Sequence, residues 1–112
     1  MGMKSRRKGQ TGEREAAREL SRVLGVQARR GQQYSGGEDS PDVVTDCEEL
    51  HVEVKRTESL RLYQALEQAI NDAGDKLPIV LHRSNRKPWV AILRLEELAR
   101  LQRVLNGING EA

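Results

Sequence analysis

The chain has 112 residues, enough for one domain with one hydrophobic core but not for two. Apolar residues make up 37% and charged residues 32%, with three aromatic residues and no phenylalanine, so we predict a core of aliphatic side chains. The single cysteine excludes an internal disulfide, no apolar run is long enough to cross a membrane and no secretory signal is visible, which together predict a cytoplasmic protein.

A predicted helix follows a basic N-terminal segment. Residues 1–10 carry four basic side chains and two glycines, and we predict that they form a flexible arm. In residues 12–24 alanine, leucine and valine recur at helical spacing, with Thr11 as the predicted N-cap and Gly25 as the predicted stop. Glu13 lies on the apolar side of this helix, where a carboxylate needs a partner or a site.

Three strands are predicted in the middle of the chain. Residues 26–30 and 43–45 are short β-prone segments, separated by a loop rich in glycine, serine and acidic residues. A turn over residues 46–49 leads into residues 50–56, where apolar and polar residues alternate. This alternation predicts that the apolar residues face the core and that His51, Glu53 and Lys55 share the other face, where His51 is expected at the surface.

The second half of the chain predicts a helix, two strands and a final helix. Residues 60–74 have their apolar side chains on one side, whereas residues 77–82 and 88–93 are nearly continuous apolar runs, typical of buried central strands. Residues 95–105 form an amphipathic helix, and residues 107–112 a frayed tail. This order of elements predicts a single α/β domain with a mixed β-sheet flanked by helices.

Three acidic residues and one lysine are the candidates for chemistry. Glu53 and Lys55 are two residues apart on one predicted strand, so both point to the same side of the sheet. Asp42 follows a proline at the start of the preceding strand, and its carboxylate converges with that of Glu53 if the two strands pair. Two carboxylates with a backbone carbonyl and waters suit Mg²⁺ or Mn²⁺. A lysine beside them can orient a water or stabilise charge on a phosphate oxygen.

Charge is unevenly distributed along the chain, although the net charge is only +2. Residues 1–30 hold nine basic and three acidic side chains (+6), residues 31–75 hold three and eleven (−8), and residues 76–112 hold seven and three (+4). An acidic central segment between two basic segments is typical of a protein that binds a phosphate backbone while it holds a divalent cation.

The spacing of these residues resembles a known family. Ser40-Pro41-Asp42 followed by Glu53-Val54-Lys55 is similar to the PD…(D/E)xK signature of the PD-(D/E)XK nuclease superfamily. Further segments resemble the Holliday-junction-resolvase branch, which has archaeal-type and phage-encoded members. These segments are Lys8-Gly9, Gly12-Glu13-Arg14-Glu15, Tyr34-Ser35-Gly36-Gly37 and Gln68. The resemblance implies a restriction-endonuclease-like core in residues 11–106, Mg²⁺-dependent cleavage of DNA and a homodimer.

The resemblance also implies roles for individual residues. Asp42, Glu53 and the backbone carbonyl of Val54 would ligate the metal, with Mn²⁺ able to replace Mg²⁺, and Lys55 would position the hydrolytic water. Glu13 would complete the acidic site directly or through water, with Gln68 beside it. DNA contacts are predicted for a further set of residues, namely Lys8, Arg29, Arg30, Tyr34, Ser35, Arg56 and Arg83.

Alternatives to a resolvase-like endonuclease stay open at this point. The chain after Lys55 lacks the long variable segment of many resolvases, which leaves room for a compact phage-type nuclease acting on other branched, flapped or single-stranded DNA. A DNA-binding module of the same fold that does not cut, and a protein-interaction domain that uses the helix over residues 95–105, are further candidates. The intact set of acids and lysine favours an enzyme, because a module that does not cut has no need of a costly carboxylate cluster.

Overall fold

A computed structural model describes the backbone of residues 3–31 and 41–108, and the side chains of residues 9–31 and 41–108. Within these ranges the helices are α1 (Met3–Leu24), α2 (Leu62–Ala73) and α3 (Leu98–Ile108), the last preceded by one 3₁₀ turn over Leu95–Glu97. The strands are β1 (Ala28–Arg30), β2 (Val43–Thr45), β3 (Leu50–Arg56), β4 (Leu77–Arg83) and β5 (Val90–Ile92). No helix in the described ranges is long and apolar enough to span a bilayer.

The strands form one mixed sheet in the order β1-β2-β3-β4-β5. β1 and β2 are antiparallel, as are β2 and β3, whereas β3 and β4 run parallel because α2 crosses over between them. β5 returns antiparallel to β4 as a hairpin. The predicted fold class, a mixed sheet flanked by helices in a single domain, is therefore confirmed.

The two faces of the sheet have separate hydrophobic clusters. On one face Ala16 and Leu20 of α1 and Val104 of α3 pack against Val52 and Leu77 in the larger cluster. On the other face α2 covers β3 and β4, and its smaller cluster consists of Ala65, Leu66, Ala69 and Val80. The central strands β3 and β4 are thus covered by helices on both sides.

Burial of both faces overturns the prediction made from the alternation in β3. His51 was predicted to lie at the surface, but its exposed fraction is 2%, and that of Glu53 is 9%. The polar residues of β3 face α2, since Glu53 lies opposite Val80 in register and neighbours in register share a face. The second face of β3 is covered by the crossover helix α2 and is not exposed to solvent.

Some predicted boundaries and exposures differ from the structure. Residues 3–10, predicted to be a flexible arm, are helical, because α1 begins at Met3 rather than after Thr11. α1 ends at Leu24, directly before the predicted stop Gly25, whose φ of 71° is accessible to glycine without strain. β5 is an edge strand with Val90 45% exposed, so the prediction of a second buried central strand is wrong. α3 extends to Ile108, and residues 109–112 of the predicted frayed tail lie outside the described residues.

Candidate active site

Asp42 lies directly before β2, against the edge of β3. Its backbone N–H donates to the carbonyl of Val52 at 3.0 Å, and its carboxylate Oδ2 accepts the N–H of Val54 at 2.8 Å. In a strand, the N–H and C=O of one residue point to the same edge. The carbonyl of Val54 therefore points toward the edge that the Asp42 carboxylate occupies.

Glu53 reaches this edge from the face that α2 covers. It is buried, and its Oε1 lies 2.8 Å from Nε2 of His51, the residue two positions earlier on the same face of β3. Its charge and a hydrogen bond to Asp42 both act on the Asp42 carboxyl group. The carboxyl groups of Asp42 and Glu53 thus converge as the sequence predicts.

Glu13 approaches the same point from α1, on the opposite face of the sheet. Its Oε1 accepts a hydrogen bond from Nε of Arg30 at 2.9 Å, and its side chain is 21% exposed. The negative charge of Glu13 also acts on Asp42. Asp42, at the strand edge, therefore experiences the charges of acidic side chains from both sides of the sheet.

The pKa of Asp42 shows the electrostatic consequence of this arrangement. Burial raises the pKa to about 7 from an ordinary 3.8, the hydrogen bond from the Val54 N–H opposes this rise, and the charges of Glu53 and Glu13 add to it. A bound cation would offset both the burial of this carboxylate and its repulsion by Glu53 and Glu13, and would thus lower the pKa of Asp42.

The donor atoms fit a hard divalent cation, although the side chains are paired with protein groups. Two converging carboxylates and a backbone carbonyl at one strand edge are all oxygen donors, the type that Mg²⁺ and Mn²⁺ prefer. No group of three or more His, Cys, Asp or Glu side chains in the described ranges is already placed to hold a metal ion. In this structure, Glu13 pairs with Arg30 and Glu53 pairs with His51.

Lys55 and Gln68 meet on the α2 side of the sheet. Nζ of Lys55 lies 3.5 Å from Oε1 of Gln68, whose position in α2 faces the end of β3. Glu53 is two residues before Lys55 on the same face. The lysine and the glutamine are thus brought together beside one of the acidic residues, as the sequence predicts.

The basic residues predicted to contact DNA have different surroundings. Arg29 is exposed on the edge strand β1, whereas Arg30 pairs with Glu13. Arg56 donates to the carbonyl of Arg83 at 3.3 Å and to Oδ1 of Asn85 at 2.8 Å, so it is tied to the end of β4 and the turn after it. The side chain of Lys8 and all of Tyr34 and Ser35 lie outside the described residues.

Comparison with known proteins identifies the family. The family model described as "phage putative PDDEXK endonuclease" matches residues 4–107. The chain belongs to this endonuclease family. Among solved structures, the Holliday junction resolvase Hjc from the archaeal hyperthermophile Archaeoglobus fulgidus is similar, with 25% sequence identity and a TM-score of 0.56 over 77% of this chain and 72% of that chain. A comparison with curated proteins gives no match.

These similarities confirm the resemblance drawn from the motifs. The PD-(D/E)XK endonuclease has a resolvase-like, restriction-endonuclease-like fold. Of the residues that carry the signature, Asp42 lies directly before β2, and Glu53 and Lys55 lie on the neighbouring strand β3. The roles of the individual site residues remain predictions.

Glu15, the last residue of the Gly12-Glu13-Arg14-Glu15 motif, anchors the other end of the chain, a role that the sequence does not predict. Its Oε1 accepts the indole N–H of Trp89 at 2.7 Å and pairs with the guanidinium of Arg83. Burial alone would raise the pKa of Glu15, but these two partners and Arg56 lower it overall. No local signal marks this cluster, because Trp89 and Arg83 lie far from Glu15 in sequence.

Two glycines allow backbone segments to approach closely around the site. A Cβ added to Gly12 would lie 2.8 Å from Cβ of Arg56, so the helix bearing Glu13 packs tightly on the end of β3. A Cβ added to Gly31 would overlap the carbonyl oxygen of Pro41. The N–H of Gly31 also donates to the carbonyl of Asp42 at 2.8 Å, so this glycine holds the segment that places Asp42.

Replacing Gly31 with alanine is expected to destabilise the protein by about 2 kcal/mol, because the new methyl group overlaps rigid backbone rather than a flexible side chain. DNA cleavage should fall as well, since Asp42 must move with the displaced segment. Urea unfolding and a cleavage assay measure the two effects. Gly107→Ala in α3 is the matched control, because nothing lies within 4 Å of its added Cβ. Equal stability of the two variants would contradict the close approach.

Proposed function

We propose that the protein is a Mg²⁺-dependent endonuclease that hydrolyses phosphodiester bonds in branched DNA, in the manner of a Holliday junction resolvase. The observation that carries the proposal is the convergence of Glu53 and Glu13 on Asp42, with Lys55 nearby, in a chain of an endonuclease family. The similar archaeal protein is a Holliday junction resolvase, which supports a branched substrate for this chain.

Asp42, Glu53 and the carbonyl of Val54 would hold the metal, with Glu13 as a further ligand directly or through water. Mn²⁺ should substitute for Mg²⁺, since both prefer oxygen donors. When bound, a divalent ion supplies charge neutralisation at the scissile phosphate and lowers the pKa of a water. The donor set of hard oxygens and the raised pKa of Asp42 support this assignment.

Lys55 is proposed to act on the attacking water. An ammonium group beside Glu53 can hold a water by hydrogen bonding and stabilise the negative charge that develops on a phosphate oxygen. Gln68, 3.5 Å from Nζ, would fix the direction of the lysine side chain. Arg30 would orient Glu13 through its 2.9 Å hydrogen bond.

DNA binding is proposed to use the basic segments on either side of the acidic centre, including the exposed Arg29 and the segment containing Lys8. Resolving a four-way junction also requires one cut in each of two opposite strands. A homodimer with a two-fold axis would present two sites in opposite orientation. The proposal places the enzyme in the cytoplasm of the host, where phage and host DNA are accessible.

A panel of end-labelled DNA substrates tests the proposal. Four-way junction, flap, splayed, duplex and single-stranded DNAs are incubated with the full chain in Mg²⁺, Mn²⁺ or EDTA. We expect paired nicks placed symmetrically near the junction centre in either metal and none in EDTA. Cutting of flaps or single strands instead would assign the protein to the other compact nucleases of the superfamily. Metal-independent cleavage, or none on any substrate, would overturn the proposal.

Binding to DNA should depend steeply on salt. About five phosphate contacts give a slope of about −4 to −5 for the logarithm of affinity against the logarithm of salt concentration. Fluorescence anisotropy in EDTA, where cleavage is prevented, measures this slope. Arg29→Gln should make the slope shallower by about 1, whereas Arg103→Gln, at an exposed position on α3, should leave it unchanged. A salt-independent affinity would favour a protein-interaction domain.

A further inference from the structure

His51 is a buried polar residue that the motif does not account for. Its exposed fraction is 2%, and its Nε2 lies 2.8 Å from Oε1 of Glu53. Its neighbours in register and sequence on this part of the sheet, such as Val52 and Pro78, are apolar. A buried imidazole is costly unless its polar atoms are hydrogen-bonded, so an aliphatic residue would be the simpler choice for packing alone.

The direction of this hydrogen bond follows from chemistry. A carboxylate that ligates a metal ion is acceptor-only, so in the proposed role of Glu53 Nε2 of His51 donates and Oε1 of Glu53 accepts. A donor from within the sheet fixes the rotation of the Glu53 carboxylate, because one oxygen is held toward His51. The second oxygen is then directed away from His51, and Asp42 lies within reach of the same carboxyl group.

We propose that His51 is a positioning residue that holds the Glu53 carboxylate in the orientation needed to bind the divalent ion. This inference rests on the proposed function, since it assigns Glu53 as a metal ligand. Hydrogen-bond partners of metal ligands typically contribute 10- to 100-fold to metal affinity or activity. His51 acts through Glu53 and is not itself a ligand.

A second histidine supplies the contrast within the same sheet. His82 on β4 is only partly buried, and its Nε2 bonds to the backbone carbonyl of Thr57 at 2.9 Å. It holds the loop after β3 through a backbone carbonyl rather than a carboxylate, so its replacement should affect stability without changing metal affinity. The two histidines thus separate a positioning role from a structural one.

The test measures metal binding apart from cleavage. The thermal unfolding midpoint of the full chain is followed against Mn²⁺ concentration, because a ligand that binds only the native state raises this midpoint. The Mn²⁺ concentration for half-maximal junction cleavage is measured in parallel. The variants are His51→Leu and His51→Met, which lack the donor, His51→Gln, which keeps an N–H donor, and His82→Leu as the control. Circular dichroism identifies the folded variants, and either apolar variant is sufficient.

We expect His51→Leu and His51→Met to need 10- to 100-fold more Mn²⁺ in both measurements, with His51→Gln restoring most of the affinity and His82→Leu matching the wild type. Wild-type affinity in the folded apolar variants would overturn the inference while leaving the proposed function intact. A His51→Gln variant as impaired as His51→Leu would overturn it too, since the donor would not matter. If Mn²⁺ neither raises the wild-type midpoint nor supports cleavage, the proposed function falls, and the role of His51 with it.

Discussion

Replacing Asp42 with asparagine is expected to lower the DNA cleavage rate by at least about 10³-fold, a loss of about 4 kcal/mol of transition-state stabilisation. The substitution keeps the shape of the side chain and an oxygen that can accept the Val54 N–H, but it removes the charge that would hold the metal. DNA binding should be retained or strengthened, because a negative charge is removed from the surface that faces the phosphates. Single-turnover cleavage of a labelled junction and anisotropy in EDTA measure the two effects.

Glu53→Gln should behave in the same way, because its carboxylate is the second proposed ligand. Asp75→Asn is the matched control, since Asp75 is an exposed carboxylate beyond the end of α2 and outside the acidic cluster. Normal cleavage by both Asp42→Asn and Glu53→Gln would contradict the assignment of the metal site. Loss of cleavage together with loss of DNA binding would indicate a folding defect instead.

The same asparagine substitution is expected to stabilise the metal-free protein at alkaline pH. The native pKa of Asp42 is about 7 against an ordinary 3.8, so the native state binds this proton more tightly than the unfolded state does. Wild-type stability must therefore decrease as pH rises from about 4 to about 7 and level off above that range, as far as Asp42 determines it. Each pKa unit corresponds to about 1.4 kcal/mol, and we expect Asp42→Asn to gain about 2 kcal/mol at pH 8 and almost nothing at pH 4.

Urea unfolding of the wild type and the variant at pH 4, 6 and 8 in EDTA checks this prediction. Asp75→Asn again serves as the control and should follow the wild-type pH dependence. Other titrating groups also contribute to the pH dependence of wild-type stability. They are shared by the Asp42→Asn variant, so they cancel in the difference in unfolding free energy between the two proteins. If that difference did not grow with pH, the raised pKa would be refuted. If Asp42→Asn is more stable than the wild type but no longer cleaves DNA, the Asp42 carboxylate lowers the stability of the metal-free protein while being required for cleavage.

The motif residues could be predicted from the sequence because local patterns place them. Period-2 alternation fixes Glu53 and Lys55 on one side of β3, and the Pro41-Asp42 step marks the start of β2. Helical spacing also places Glu13 on the inward side of α1. The pairing of β2 with β3 then joins these residues, and the observed antiparallel pairing agrees with that expectation.

What could not be predicted depends on contacts between distant segments. Alternation in β3 indicates two kinds of side chain but does not reveal that α2 covers the polar face, so His51 was expected at the surface. The apolar run that contains β5 was read as central, although a hairpin places it at the sheet edge. The partners of Glu15, Trp89 and Arg83, come from the other end of the chain, and no spacing rule connects them.

Calorimetric titration of the full chain with Mn²⁺ at pH 8, in the presence of junction DNA with non-hydrolysable linkages at the cut positions, determines whether the acidic residues around Asp42 form the divalent-ion site of the endonuclease. We predict saturable uptake by the wild type that is lost in the double variant Asp42→Asn/Glu53→Gln and retained in Asp75→Asn. Equal uptake by the wild type and the double variant, or no uptake by the wild type with DNA bound, would contradict the account.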